Sequence, residues 1–201
     1  MENKISRESF TLSKLKLLPT GGIDSTVNVE MVVDGTYMEI ERKQKTPIIP
    51  DPDLTDQIKA LKDIYLMACG YMQTRTIVNA PEFGATVKQK KAVDKYIDIL
   101  RSKTTITGVH LSGQGENEGV IITGQIKAAN SSNVTTNSPR MRFTSEVYGC
   151  EEELEAQVNG IETELYLYLQ EGKKMQLEIF GEKQTNDMFD EQLKKIKERG
   201  E

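Results

Sequence analysis

The spacing of apolar residues along the chain changes between the period of two that is typical of strands and the longer period that is typical of helices. Strand-like alternation covers eight segments, namely 10–18, 26–33, 37–43, 73–78, 104–112, 120–128, 141–147 and 175–180. Helical spacing covers four segments, namely 54–68, 86–102, 151–169 and 187–199. The pattern therefore predicts a protein that contains both strands and helices.

These elements follow the same order twice. Residues 1–103 and residues 104–201 each give strand, strand, strand, helix, strand, helix. A repeat of this kind indicates two similar layers of sheet and helix that pack against each other. We therefore predict an α+β fold in which two similar halves form one compact unit.

Turn and cap residues set the boundaries between these elements. Asp34 and Gly35 predict a tight turn between the second and third strands, and Asp53 is the predicted N-cap of the first helix. Gly172 is predicted to end the long helix of the second half. The stretch 129–139 is rich in Asn, Ser and Thr, so we expect a mobile loop there.

Composition indicates an ordinary globular protein. The chain has 201 residues, of which 37% are hydrophobic and 28% charged. No apolar run approaches the roughly 18 residues of a membrane helix, and the first ten residues lack the apolar stretch of a signal peptide. We therefore expect a cytoplasmic protein with no membrane partner. Cys69 and Cys150 are far apart in the sequence and are predicted to be buried thiols.

The charge is unevenly distributed. Residues 1–147 carry 19 Lys and Arg against 17 Asp and Glu, whereas residues 148–201 carry 7 against 14. A near-neutral body with an acidic C-terminal quarter is compatible with a DNA-handling protein whose tail repels stray polyanions. The alternative is a solvated helix face.

Two patterns that could bind phosphate or support catalysis are incomplete. Gly113, Gly115 and Gly119 lie between two predicted strands, whereas the phosphate loop of a dinucleotide site joins a strand to a helix. His110 is the only histidine, which excludes a metal site built from several histidines. We expect His110 to be a structural or surface residue.

A third pattern is that of some metal-dependent nucleases. Glu41 and Lys43 are separated by one residue on a predicted strand, and Asp34 precedes them by one hairpin turn. The period of two would place Glu41 and Lys43 together beside a magnesium ion. The alternative is a polar strand face.

Three groups of basic residues, two of them beside a phenylalanine, form a candidate site that could follow a phosphate backbone and stack on a base: one on the first strand, one on the 86–102 helix and one after the polar stretch. Strict alternation along the first strand also puts Phe10 and Leu12 on the same face as its two lysines. The candidate residues are Lys14, Lys16, Lys88, Lys91, Lys95, Arg140, Arg142 and Phe143. The alternative is scattered solubilising charge.

Four short motifs carry a family resemblance: PDL at 52–54, GVIITG at 119–124, NSPR at 137–140 and YGCEEE at 148–153. With these motifs, the segment from Gly108 to Gly181 resembles small uncharacterised bacteriophage proteins that are often encoded near replication and recombination genes. The resemblance implies a phage setting and a role in DNA metabolism. It implies no catalytic residue.

We therefore predict a non-enzymatic phage accessory protein of DNA metabolism. We expect it to bind single-stranded DNA or a replication or recombination protein, to use no cofactor and to form a homo-oligomer. One alternative is a protein- or small-molecule-binding module such as an inhibitor of a host defence, which the net negative charge fits better. Another is a metal-dependent nuclease that uses Asp34, Glu41 and Lys43.

Overall fold

The computed structural model describes residues 9–33, 36–72, 87–113, 115–128, 132–145 and 147–172. Its centre is one antiparallel sheet with the strand order β3-β2-β1-β4-β5-β6, and β7 also pairs with β5. The strands are β1 Phe10–Leu17, β2 Ile23–Val33, β3 Thr36–Thr46, β4 Thr104–Ser112, β5 Gly119–Lys127, β6 Asn133–Asn137 and β7 Met141–Arg142. The predicted α+β class is confirmed.

Four α-helices are described. They are α1 Pro52–Ala60, α2 Lys62–Ala68, α3 Val87–Lys103 and α4 Glu151–Tyr166, and α4 continues as a π-helical turn over Leu167–Glu171. The N-cap of α1 is Asp51, two residues earlier than the predicted Asp53. Its side chain accepts a hydrogen bond from the Asp53 N–H at 3.0 Å. The reason is Pro52, because proline fits the first helical position, where no N–H is needed.

Helices α1, α2 and α4 bury their apolar sides against one face of the sheet. The core of the described residues is continuous from β2 to β5 and includes the predicted helical stripe of α4: Leu154, Val158, Ile161 and Leu165. Phe10 on β1 meets Tyr166 on α4 edge to face, with ring centroids 5.6 Å apart. Gly172 has φ 73° and ends the helix as predicted. Cys150 is buried and Cys69 is partly buried, and neither forms a disulfide.

A bulge in β1 changes which side chains share a face. The register of β1 on β2 shifts between Leu12 and Lys14, so the alternation breaks at Ser13. Phe10, Leu12 and Leu15 are buried, while Lys14 and Lys16 are exposed. The prediction that Phe10 shares a face of the strand with the two lysines is therefore wrong. The extra residue of a bulge reverses the alternation beyond it.

The buried carboxylate of Glu162 lies at this bulge. Its Oε1 atom accepts a hydrogen bond from the Leu12 N–H at 2.7 Å, and the Glu162 side chain is only 8% exposed. A buried backbone N–H needs an acceptor. The helix α4 thus supplies an acceptor to the irregular part of β1.

The polar stretch 129–139 does not form the expected loop throughout, because it contains β6. β6 pairs with β5 from Thr123↔Asn137 to Lys127↔Asn133. Its Val and Thr residues are β-branched and therefore favour strands. The predicted strand at 141–147 is correspondingly reduced to the two residues of β7, which follow Pro139.

The predicted twofold repeat is not confirmed. Each half contributes a three-stranded meander to the shared sheet, β1-β2-β3 and β4-β5-β6, and the halves meet where β1 pairs with β4. The fourth strand predicted for each half and the final helix at 187–199 lie outside the described residues, as does the predicted turn at 34–35. Among the described residues, every helix is too short or too polar to cross a membrane.

Candidate nucleic-acid interface

The face of the sheet opposite the helices carries polar side chains in rows that cross the strands. We call it the open sheet face. The first basic row is formed by neighbours in register on five strands: Lys43, Thr26, Lys14, His110 and Ile121. Both lysines and the histidine are exposed. Because hydrogen-bonded strands lie about 4.8 Å apart, this row crosses the whole middle of the sheet.

A second basic row runs beside the first, two residues along each strand. Its members are Lys45, Asp24, Lys16, Gly108 and Thr123. Lys16 and Lys45 are exposed, and Asp24 lies between them in the register. The row continues onto β6, where the Thr123 hydroxyl donates a hydrogen bond to Asn137 Oδ1 at 2.9 Å.

The charge of the open sheet face is asymmetric. The two basic rows hold four lysines and one carboxylate, Asp24. The acidic residues Glu30, Glu39 and Glu41 lie further along β2 and β3, toward the end at which these strands are connected. The face therefore has a basic middle and an acidic end.

One lysine of the first row already has an acidic neighbour. Lys43 Nζ lies 2.8 Å from Glu41 Oε1, and both side chains are exposed, 73% and 54%. The hydrogen bond to Glu41 and its negative charge raise the pKa of Lys43. Lys43 therefore stays protonated at neutral pH, but in an exposed ion pair that a phosphate could replace at little cost.

The candidate residues after the polar stretch have different surroundings. Arg142 on β7 is exposed and lies opposite Gly119, which places it on the open sheet face beyond His110. Arg140 instead donates from Nη2 to the carbonyl oxygens of Ser112, at 2.8 Å, and Asn117. Its guanidinium thus holds the β4–β5 connection.

Phe143, predicted to stack on a base, is partly buried against the core. Its ring therefore contributes to packing. Stacking on a nucleic acid would need an exposed ring face.

Of the three lysines predicted on the 86–102 helix, Lys95 has a described side chain, and its helix is attached on the helix side of the sheet. Lys95 is exposed on α3, and α3 is attached to α2 by the bidentate pair of Arg101 with Asp63, at 2.8 Å for both contacts. Lys88 and Lys91 belong to α3, but their side chains lie outside the described set. The structure therefore does not bring Lys95 together with Lys14 and Lys16.

Sequence reasoning missed one residue of the basic rows and interpreted two others differently. Lys45 was not a candidate, Lys43 was considered only for a nuclease site, and His110 was expected to be structural or at the surface. His110 is indeed exposed. The signal that could have identified the set is the matching Lys-x-Lys spacing at 14–16 and 43–45, since two strands with cations at a period of two form a patch when their registers align.

The nuclease hypothesis finds little geometric support. Asp34 lies outside the described residues, and Glu41 and Lys43 form the ion pair described above. Within the described part of the chain there is no group of three His, Cys, Asp or Glu side chains that could hold a metal ion. The loop with Gly113 and Gly115 joins two strands, β4 and β5, as predicted.

Comparison with protein-family models, curated proteins and solved structures finds no match for this chain. A functional proposal therefore depends on the charge and geometry of the open sheet face.

Proposed function

We propose that this protein binds single-stranded DNA, without cleaving it, through the open sheet face. The observation that carries the proposal is the pair of adjacent basic rows, in which Lys14 and Lys16 are exposed on β1 and Lys43 and Lys45 are exposed on β3, with β2 between the two strands. Lysines at these spacings can contact successive phosphates of a strand that crosses the sheet. The contacts would be electrostatic and largely independent of base sequence.

A single strand suits this surface better than a duplex. A flexible strand can bend so that its phosphates reach both rows, and its bases can contact the polar side chains between them, such as Thr26, His110 and Thr123. Recognition of a duplex more often uses a helix or ribbon that enters a groove. The basic rows lie on the open face of an antiparallel sheet, whose backbone forms no such projection there.

The acidic C-terminal quarter and the acidic end of the open sheet face support a restricted site. Glu30, Glu39 and Glu41 would repel a nucleic acid from the far end of β2 and β3, so that the strand stays on the basic middle. With the resemblance to bacteriophage proteins, we propose an accessory role in phage DNA metabolism.

The test is fluorescence anisotropy with a labelled single-stranded oligonucleotide, because binding slows the tumbling of the label. The key variant is Lys14→Ala with Lys16→Ala. The matched control is Lys95→Ala with Lys103→Ala, which removes the same charge from exposed positions on α3. We expect the key variant to bind at least about tenfold more weakly. The slope of the logarithm of the association constant against the logarithm of the salt concentration should become less steep by about 1.4, since each of the two lost phosphate contacts on a single strand contributes about 0.7.

The control variant should bind like the wild type. Equal binding by the wild type and the key variant would refute the proposed site. Equal losses in both variants would indicate unspecific attraction by net charge.

The second candidate function is binding of a protein, and one observation favours it. Val93, Tyr96 and Ile99 lie three residues apart on α3 and are 56%, 56% and 43% exposed. An apolar stripe of this kind suits a protein partner. Co-purification of a replication or defence protein that is lost in Tyr96→Ser, without any binding of DNA, would favour this function over the first.

A further inference from the structure

The outer edge of β3 is an open site for another strand. β3 is eleven residues long and pairs with β2 along its whole length, and no described strand pairs with its other edge. Its residues from Thr36 to Lys45 are exposed, except for Ile40, which is partly buried. An edge of this length offers a row of backbone N–H and C=O groups to a further strand.

The charges along this edge are complementary to themselves. Every second position of β3 lies on the same face of the strand, and on one face these positions are two acids followed by two lysines: Glu39, Glu41, Lys43 and Lys45. If two copies of β3 run antiparallel with Arg42 at a twofold axis, Glu39 lies opposite Lys45 and Glu41 lies opposite Lys43. The axis repeats both pairs, so four opposite-charge pairs form across nine paired residues, 38–46. Cross-strand pairs of opposite charge stabilise a sheet.

The neighbouring strand adds a second argument. In the register of β2 on β3, Glu39 lies opposite Glu30, and like charges in this arrangement destabilise a sheet. In the twofold arrangement Lys45 of a second copy would lie on the other side of Glu39. This cation would offset the repulsion between Glu30 and Glu39.

We propose that β3 pairs antiparallel with β3 of a second copy of this chain, in the register centred on Arg42. The interface is isologous, as twofold axes require. The two sheets then join into one, with both open sheet faces on the same side. This inference goes beyond binding of nucleic acid and does not depend on it.

Two other features of β3 bear on this register. Arg42 faces its own copy at the axis, which gives one like-charge pair against four opposite-charge pairs. Pro47 directly follows the strand, and because proline has no N–H it limits pairing at that end. Many sheet edges carry lysines that repel a second edge, but the equal mixture on β3 forms its largest number of opposite-charge pairs with its own copy in this one register.

The experiment uses charge reversal and the mass of the assembly. The first variant is Glu39→Lys with Glu41→Lys, which makes the face of β3 entirely positive. The second is Lys43→Glu with Lys45→Glu, which makes it entirely negative. All four positions are exposed, so both variants should fold, and circular dichroism checks this. Sedimentation equilibrium of the full chain, without nucleic acid, then gives the mass relative to the monomer of 22.6 kDa.

We expect the wild type to have twice the monomer mass. The dimer of each variant alone should dissociate at least about tenfold more readily, and an equimolar mixture of the two variants should recover the double mass. A wild type that is monomeric at about 0.1 mM would overturn the proposal. Variants that remain dimeric when alone would overturn it too, because the interface would then lie elsewhere. A mixture that stays monomeric would contradict the register.

Discussion

Gly124 packs closely against the ring of Tyr65, and this contact gives a sharp test of the packing. Gly124 lies on β5 opposite Thr136 of β6, and its buried side faces Tyr65 of α2. A Cβ atom at position 124 would lie 2.5 Å from Tyr65 Cζ, 2.7 Å from Cε1 and 2.9 Å from Cε2. Tyr65 is fully buried, and its hydroxyl forms a hydrogen bond with the Thr136 hydroxyl. The ring therefore cannot move aside without losing this bond.

The substitution Gly124→Ala should destabilise the protein by about 1–3.5 kcal/mol. Overpacking a core costs about 1–3 kcal/mol, and losing the hydrogen bond of Tyr65 costs about 1 kcal/mol more. Alanine makes the unfolded chain less flexible than glycine does, which offsets about 0.4–1 kcal/mol of this. Because the ring occupies the space that the new methyl group needs, the clash outweighs the entropic gain.

Urea unfolding followed by circular dichroism measures the change in the free energy of unfolding. The matched control is Gly160→Ala on α4, where the added Cβ would meet only the end of the Gln57 side chain, at 2.8 Å from Oε1. That end can rotate away, and alanine favours a helix by about 1 kcal/mol over glycine, so the control should be neutral or stabilising. A loss below about 0.5 kcal/mol in Gly124→Ala would refute the account of this contact, since measured effects of tolerated substitutions lie within that range.

The remaining predictions concern a buried acceptor and the response to alkaline pH. Glu162→Ala leaves the buried N–H of Leu12 without its acceptor and should lower the free energy of unfolding in urea by about 1–3 kcal/mol. The control Glu155→Ala, at an exposed site of the same helix, should change this free energy by less than about 0.5 kcal/mol. Equal effects of the two substitutions would contradict the role of Glu162. Burial raises the pKa of Tyr65 above its ordinary value of 10.0 and that of the Cys69 thiol above 9.0. Above these ordinary values the folded state holds more protons than the unfolded state, so stability should fall as the pH rises from about 9 through the two raised pKa values. Thermal unfolding at stepped pH measures this fall, and Tyr65→Phe should reduce it above pH 10; an unchanged pH profile in that variant would assign the fall to other groups.

The sequence was sufficient to predict the elements whose periodicity is strong. The stripe of α4 from Leu154 to Leu165 and the strand β4 at its predicted bounds are both found in the structure. Local signals failed where a tertiary contact decides the outcome. The residues 133–137 form a strand because β5 has an edge to pair with, and the polar composition of the stretch contains no information about that edge.

The candidate site was predictable only in part. The period of two identified Lys14 and Lys16, but not their side of the sheet, since the bulge at Ser13 is visible only in the register. Lys43 and Lys45 join them because β2 lies between β1 and β3, a matter of topology that spacing along the chain cannot show.

The most direct test of the central claim is the salt dependence of the affinity of the wild type for a single strand of about 16 nucleotides, long enough for one binding site of this size. Contacts from the four lysines of the basic rows predict a slope of about −2.8, so affinity should fall about 50-fold between about 50 and 200 mM salt. A slope near zero would contradict phosphate contacts by these lysines, and no binding at about 50 mM salt would contradict the function itself.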